Sequence, residues 1–467
     1  MPDSFPSPKR TRTVSTDKMD VDGVQRSPRS HHRSPRISRS RSVLPVINTV
    51  PSLKAETGRV FVFGNGDLGQ LGLGEDMLNR KKPMPVKEMD GKHIVDVVAG
   101  GVHTVVVNQT GKLYSWGCND KRALGRSGEE YEPGAVEGLD HVKVVKVACG
   151  DSITVALTAE GKVWCWGTYR SSQGDLGFSK SQSIQDVPEE FAPLTGETIV
   201  DVACGTDHAL ALTDDGKVYG WGNGEQNQIG RRILERRKLN GLDPQLTSLR
   251  NITMIASGSY HSLAVDTEGR LWVWGLNNFG QCGLRGQKKT TLDIIPTPQR
   301  LVLDNLGENE DEDTRPFKIK QIAAGEQHSL LLMESGDVYA FGRADFGQLG
   351  ISGEQVTSVV AQETLEHDGE ENGVDELSSG FKKAIYHPVK VSIPAKVTAI
   401  SCGIHHNLAL TQEGQVYAWG FGESLALGNG SDEDEYVPVL LEGQKIEGGT
   451  CLGVAAGGQH SVVLYRV

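Results

Sequence analysis

From residue 59 onward the chain alternates short apolar segments of period two with tight polar turns. In Ala209-Leu210-Ala211-Leu212, then Thr213-Asp214-Asp215-Gly216-Lys217, then Val218-Tyr219-Gly220-Trp221, two strand-like runs flank a turn whose glycine supplies a positive φ. This unit predicts a β-hairpin, and it recurs. A block opening Gly-x-x-His stands at Gly100–His103, Gly205–His208, Gly258–His261, Gly325–His328, Gly403–His406 and Gly457–His460, and Gly150 opens the same block with Ile153 in place of His. Eleven residues after the first Gly comes a second (Gly111, Gly161, Gly216, Gly269, Gly336, Gly414). Seventeen residues after it comes a third, behind Trp116, Trp166, Trp221, Trp274, Phe341 or Trp419. The repeat distance runs from 50 to 78 residues, and all the excess lies outside the 17-residue frame. Insertions are therefore predicted in loops between units that pack on one another.

The two ends predict a closed ring. Phe63-Gly64-Asn65-Gly66-Asp67-Leu68-Gly69-Gln70-Leu71-Gly72 is the second half of a repeat with no first half before it, and Gly457–Leu464 is a first half with no second half after it. Joined, they make a seventh unit and remove the free sheet edges that an open stack would expose. The predicted class is all-β: a seven-bladed β-propeller over residues 55–467.

Composition changes this picture in two places. Net charge is −12, yet residues 1–54 hold eleven Lys/Arg against four Asp/Glu, so this segment is +7 and the remainder −19. Low apolar content and dense charge predict a disordered arm over 1–54 that seeks polyanions, on an acidic body that does not. The seven cysteines include no C-x-x-C pair, and Cys149, Cys204 and Cys402 recur just before Gly, which predicts small buried residues rather than disulfides or metal ligands. With 57 glycines at assigned positions, no ~18-residue apolar run and no apolar leader, the chain is expected to be a soluble protein of the cytosol or nucleus.

Candidate chemistry is sparse. Gly64-x-Gly66-x-x-Gly69 matches a dinucleotide fingerprint but sits at a repeat turn with no amphipathic helix behind it, and no Gly-Lys-Ser/Thr phosphate loop exists, so no nucleotide cofactor is expected. Histidine at six of seven equivalent positions points to a repeated structural bond between strands, with a metal ring or general bases as the alternative. Function then falls to residues that vary within the repeat, such as Asp151 and Asp207 before the His position. The acidic inserts Glu308–Asp313 and Glu366–Glu376 read as solvated loops, and Arg231, Arg232, Arg236, Arg237, Lys238 and Arg250 form a basic stretch in the acidic body.

The 11/17 spacings together with Gly69-Gln70-Leu71-Gly72 and Gly347-Gln348-Leu349-Gly350 resemble the regulator-of-chromosome-condensation repeat family over residues 59–467. Chain layout, a Ser7-Pro8-Lys9-Arg10 tail and the segments 222–231 and 274–283 are similar to its fungal branch of chromatin-bound exchange factors for the small GTPase Ran. The Trp-Gly to Leu-Gly interval is eight residues in six units but ten from Gly167 to Gly177, where that branch carries a β-wedge. The resemblance implies a wedge built by Tyr169, Arg170, Gln173, Gly174, Asp175 and Leu176. It also implies a GTPase-facing surface of Asp67, Asp151, Asp207, Arg231, His328 and His460, and a loop at 231–250 whose Arg232, Arg236 and Arg237 dock on the histone acidic patch. The wedge departs from the vertebrate pattern in its Ser171 and Ser172.

For the tail the resemblance implies nuclear entry with an importin and DNA contact by Lys9, Arg10, Arg12, Arg26, Arg29, Arg33 and Arg36. Ser27 and Ser34, each followed by Pro and Arg, are candidate phosphorylation sites. Nuclear, chromatin-associated placement and nucleotide exchange without covalent chemistry follow as expectations. The competing reading is a non-catalytic propeller adaptor on chromatin or in ubiquitin pathways. An ultraviolet receptor is disfavoured because no Trp lies in the Gly-x-x-His segment.

Overall fold

The computed structural model describes residues 45–286, 292–303, 318–368 and 384–466. Seven four-stranded antiparallel sheets succeed one another along the chain. In the third, Ile199–Cys204 is innermost, followed outward by His208–Thr213, Val218–Gly222 and Gln245–Leu246. The closing sheet takes Thr450–Ala456 and His460–Arg466 from the C-terminal side and Arg59–Asn65 and Asn79–Pro85 from the N-terminal side. Val60 pairs with Leu464 and Gly64 with His460, so the split repeat is sealed as the sequence predicts.

The second strand is buried along its whole length in six blades, as in His208–Thr213, and in the closing blade up to its terminal Arg466. Its period-two alternation therefore does not separate core from solvent. It sorts side chains between the two neighbouring blades: Leu210 and Leu212 pack toward the fourth blade with Leu263 and Val265, whereas Ala209 and Ala211 pack toward the second with Val155 and Cys165. Trp116, Trp166, Trp221, Trp274 and Trp419 are fully buried at these seams. Truncating any one to Ala would cost about 3–5 kcal/mol.

The recurring glycines are steric necessities. A Cβ on Gly100 would lie 2.6 Å from the carbonyl oxygen of Gly150 in the next blade and 2.8 Å from the His103 ring. Gly117 has φ +107°, and a Cβ there would lie 2.6 Å from the Val102 oxygen. Close approach near the axis lets backbone bonds run from blade to blade: Gly101 N to Gly150 O, Asp151 N to Thr206 O, Thr206 N to Ser259 O, Ser259 N to Gly325 O, Glu326 N to Ile404 O, Ile404 N to Gly457 O, and Gly458 N back to Gly100 O.

Three expectations need correction. Residues 45–54, grouped with the tail by charge, lie on the propeller: Ile47 and Asn48 N–H donate to Asp214 O, Asn48 Nδ2 donates to Thr213 O and Ile252 O, and Val50 and Leu53 pack on the blades. Their apolar residues, not the neighbouring charges, decide their position. Cys149, Cys204 and Cys402 end innermost strands and are only half-buried, packing on the core clusters on one side and lining the axial channel on the other; all seven cysteines are free. The insert assigned to a loop at Glu366 begins as the last turn of an α-helix, Gly353–Asp368. The tail residues Lys9 to Arg36, with Ser27 and Ser34, and the Glu308–Asp313 insert lie outside the described residues.

Candidate functional site

The six repeat histidines are fully or almost fully buried, and each bonds the next blade. His103 Nε2 meets Thr154 Oγ1 at 2.9 Å, His208 meets Ser262 Oγ at 2.9 Å, His261 meets Ser329 Oγ at 2.8 Å, His328 meets Asn407 Oδ1 at 2.7 Å, His406 meets Ser461 Oγ at 2.8 Å and His460 meets Thr104 Oγ1 at 2.9 Å. The partner's own hydrogen goes on to a loop carbonyl, as from Thr104 Oγ1 to Gln70 O and Ser262 Oγ to Gln228 O. The imidazole Nε2 is thus the donor, and each ring is neutral; burial holds His328 down to about 4 and His460 to about 3. His328 and His460, expected on the GTPase-facing surface, are interior clasps instead.

The same loop carbonyl receives the indole N–H of the clasped blade: Trp116 on Gln70 O, Trp166 on Ala123 O, Trp274 on Gln228 O and Trp419 on Gln348 O. The second blade's loop cannot offer this carbonyl, because there the chain forms a separate hairpin of Tyr169–Ser171 and Gly174–Gly177. Three deviations trace to that one cause. Ile153 replaces the histidine, Ala209 replaces its hydroxyl partner, and the buried Trp221 Nε1 lacks a carbonyl acceptor, with the buried Tyr169 hydroxyl as its polar neighbour. An apolar cluster fills the seam, with Tyr169, Leu176, Phe178 and Leu242 around Phe191, whose ring stacks on Trp221 at 5.2 Å.

This hairpin stands on the face that carries the Gly-x-x-His turns. Tyr169 and Leu176 are its buried root, while Arg170, Ser172, Gln173 and Asp175 are exposed. The third blade holds one side. Arg170 N–H donates to Asp207 Oδ1 at 2.7 Å, Asn223 Nδ2 donates to Arg170 O at 3.0 Å, and Ser172 donates from N to Glu225 Oε2 at 3.0 Å and from Oγ to Oε1 at 2.9 Å. Lys121 of the first blade pairs with Asp175 at 2.8 Å on the other side. At the tip Gln173 Oε1 accepts from Lys238 Nζ at 2.7 Å, while Lys180, beyond the second strand, pairs with Asp243.

Beside the hairpin the channel mouth is acidic. Asp151 is raised to about 7, chiefly by burial and then by Asp207, with Arg170 opposing. Asp207 and Glu326 are also raised, in both cases mainly by burial. Across the mouth His405 Nε2 lies 3.2 Å from Glu326 Oε2, and Arg343 sits 4.7 Å from the ring centres of both Phe279 and Phe346. Sequence reasoning missed Glu225, Glu326, Arg343 and His405. Glu326 and His405 occupy the same variable positions, two and one before the repeat histidine, that singled out Asp151 and Asp207.

The remaining expected residues divide by geometry. Asp67 is exposed and accepts Asn65 Nδ2 at 3.0 Å, bonding within its own turn. Arg231 turns inward: its guanidinium donates to the carbonyls of Gly220, Asn240, Gly241 and Asp243, organising the loop in place of facing a partner. Burial lowers it to about 10. Arg250 likewise donates to Thr247 O and Leu249 O. Arg232, Arg236 and Arg237 are exposed on the 3-10 helix Glu235–Leu242 and its approach, beside the exposed Leu234 and Leu239. Among the described residues no cluster of His, Cys, Asp or Glu could hold a metal, and no helix is long and apolar enough to cross a membrane.

Residues 59–463 match the model of the RCC1-like domain. The chain belongs to the RCC1-like family. It is 38% identical over 439 residues to Protein pim1 of Schizosaccharomyces pombe, covering 89% of this chain and 76% of that one. It is 32% identical to guanine nucleotide exchange factor SRM1 of Saccharomyces cerevisiae, covering 86% of each, and 34% identical to the human regulator of chromosome condensation, covering 92% and 98%. The crystal structure of Prp20p from Saccharomyces cerevisiae, described with its binding to Gsp1p and histones, superposes with a TM-score of 0.79 at 33% identity over 89% of this chain and 92% of that one. Yeast RCC1 (Prp20) bound to Kap60 superposes with a TM-score of 0.78 at 32% identity over 94% and 96%. In this RCC1-like chain the acidic mouth and the 169–177 hairpin share one face, and the exposed arginines adjoin the hairpin tip.

Proposed function

We propose that this RCC1-like chain is a guanine-nucleotide exchange factor for the small GTPase Ran. The observation that carries this reading is the hairpin 169–177, pinned upright by Asp207, Asn223 and Glu225 beside a mouth of half-buried carboxylates. Exchange needs no covalent chemistry. The protein grips the nucleotide-free GTPase, and linkage requires the same coupling to loosen the nucleotide by an equal factor. Asp151 and Asp207, uncomfortable when charged and half-buried, gain most from a partner's Lys or Arg. Tyr169 and Leu176 root the wedge, while Arg170, Gln173, Gly174 and Asp175 form the part that presses on the phosphate-binding elements. Either nucleotide is expelled, and an excess of GTP sets the direction.

Exposed Arg232, Arg236 and Arg237, with no ion pair of their own among the described residues, suit the acidic patch of the nucleosomal histones, since Arg pairs bidentately with carboxylates. The basic tail contributes DNA-phosphate contact and importin-dependent nuclear entry; the histone binding described for Prp20p supports the histone attachment, and yeast RCC1 bound to Kap60 supports the importin one. Ran-GTP would then be produced on nuclear chromatin, serving nucleocytoplasmic transport and the assembly of spindle and nuclear envelope.

The test is release of fluorescent GDP from purified Ran. Wild-type protein should accelerate it by orders of magnitude. Replacing 170–175 with a short Gly-Ser turn, which keeps the buried Tyr169 and Leu176, should abolish the acceleration while leaving a folded propeller, and undiminished exchange by that folded variant would sink the wedge assignment.

A further inference from the structure

We infer that Glu225 is the residue that positions the wedge, by clasping the tip of the hairpin through Ser172. This inference rests on the exchange-factor reading. A two-residue tip, Ser172-Gln173, connects strands of only three and four residues, and such a hairpin is marginal alone. Its root is fixed by Tyr169 and Leu176, but its direction is set by polar contacts above the root. Both carboxylate oxygens of Glu225 are engaged by Ser172, one by the backbone N–H and one by the hydroxyl. Glu225 is itself set in place: its backbone N–H donates to Asn223 Oδ1 at 2.8 Å, and Asn223 Nδ2 spans Arg170 O and Glu225 Oε2 at 3.0 and 3.3 Å. Asp207 holds Arg170 N–H closer to the root. Three side chains of one blade thus fix alternate backbone positions, 170 and 172, of a hairpin grown from another. Glu225 is a positioning residue with no reacting atom to touch.

The contact also explains why this chain carries a serine at the wedge tip. A carboxylate at position 172 would stand directly against that of Glu225, and the two would repel. A serine instead supplies a second donor at the same backbone position. Burial disfavours the charged form of Glu225, yet the two donations from Ser172, the donation from Asn223 and the Lys238 charge together outweigh it, so the carboxyl is held below its ordinary value and remains ionised at neutral pH.

The experiment uses full-length protein with Ran-GDP, reading kcat, KM, thermal midpoint and capture of nucleotide-free Ran. Glu225→Gln keeps shape but removes the charge, and Glu225→Ala removes the clasp; kcat should fall by about 3- to 10-fold and 10- to 100-fold respectively, the range expected for hydrogen bonds to a charged group. KM and thermal midpoint should change little, because the grip lies with Asp151 and Asp207. Ser172→Asp should match Glu225→Ala, and Ser172→Asp combined with Glu225→Lys should recover most of the loss by rebuilding the clasp with reversed charge. A merely structural role would lower the thermal midpoint and show no such recovery. If wild type exchanges nucleotide and Glu225→Ala and Ser172→Asp match it, the positioning role is overturned; if wild type itself does not act on Ran, the exchange-factor reading fails instead.

Discussion

His460 Nε2 and Thr104 Oγ1, 356 residues apart in the chain, lie 2.9 Å from each other in the interior and clasp the closing blade to the first. Thr104 also donates to Gln70 O, so the pair is one link of a longer hydrogen-bonded chain. Thr104→Val keeps the shape but strands a buried imidazole donor, and should cost about 1–3 kcal/mol in urea unfolding. His460→Ala adds a cavity and should cost more. Because the ring is neutral and buried, His460→Ala at permissive temperature should leave exchange by the folded fraction near wild type; a large fall in kcat without loss of stability would restore His460 to the GTPase-facing surface.

The second blade invites the converse experiment. Ile153→His and Ala209→Ser each place an unpartnered polar group in an apolar seam and should each cost about 1–3 kcal/mol. The double variant should recover roughly 1 kcal/mol through the new imidazole–hydroxyl bond. It should still fall short of wild type, because the wedge has removed the carbonyl that the hydroxyl needs. Full recovery in the cycle would mean that the missing carbonyl is of no consequence.

Two groups of residues push stability in opposite directions with pH. The clasp histidines titrate at about 3 to 4 when folded and near 6.5 when unfolded, so their contribution is complete above ~6.5 and is lost as pH falls toward 4. Each contributes up to about 1.4 kcal/mol per pH unit in that window, which predicts a steep fall of thermal midpoint between pH 6 and 4. Asp151 is raised to about 7, so its effect has the other sign: stability is lost as pH rises through 4 to 7. Asp151→Asn should therefore stabilise the protein at pH 8 by about 2 kcal/mol, less than the whole shift because the side chain is partly exposed, and hardly at all near pH 4. Its affinity for nucleotide-free Ran should fall at the same time. Equal stability of variant and wild type at pH 8 would mean that the carboxylate is not destabilised there.

The arginines of the basic loop should separate cleanly. Arg231→Ala leaves four backbone carbonyls without their common donor and should loosen 231–243, read as faster amide exchange and a lower thermal midpoint. Arg232→Glu, Arg236→Glu and Arg237→Glu together should leave the thermal midpoint unchanged and reduce binding to core histones at least tenfold. Unaltered histone binding by the triple variant would remove the loop from the docking surface.

The sequence made the hairpins, the blade number and the seam between the two ends readable, because glycines that admit no Cβ recur at fixed spacing and the half repeats are complementary. The hairpin 169–177 was readable as two extra residues before Gly177. What stayed hidden was the connection among anomalies. Ile153, Ala209 and Trp221 deviate because one loop carbonyl is missing, and that carbonyl is supplied across a blade boundary that spacing does not reveal. Glu225 escaped notice for a similar reason, being 53 residues from Ser172. His328 and His460 were misplaced, and Arg231 with them, because a residue's position in a repeat fixes its blade and level but not whether its side chain points toward a partner or back into the protein.

The seam between Arg59–Asn65 and His460–Arg466 also sets a schedule for the ribosome. At about 5–20 residues per second, the ~400 residues between these strands take roughly 20–80 s to synthesise. Throughout that time six blades can stack, but Arg59–Asn65, apolar over Val60 to Phe63, has an unpaired edge waiting for a partner not yet made. Such an edge is a template for foreign strands. The nascent open ring is therefore exposed to aggregation for as long as this edge stays bare, and the emergence of His460–Arg466 ends its exposure.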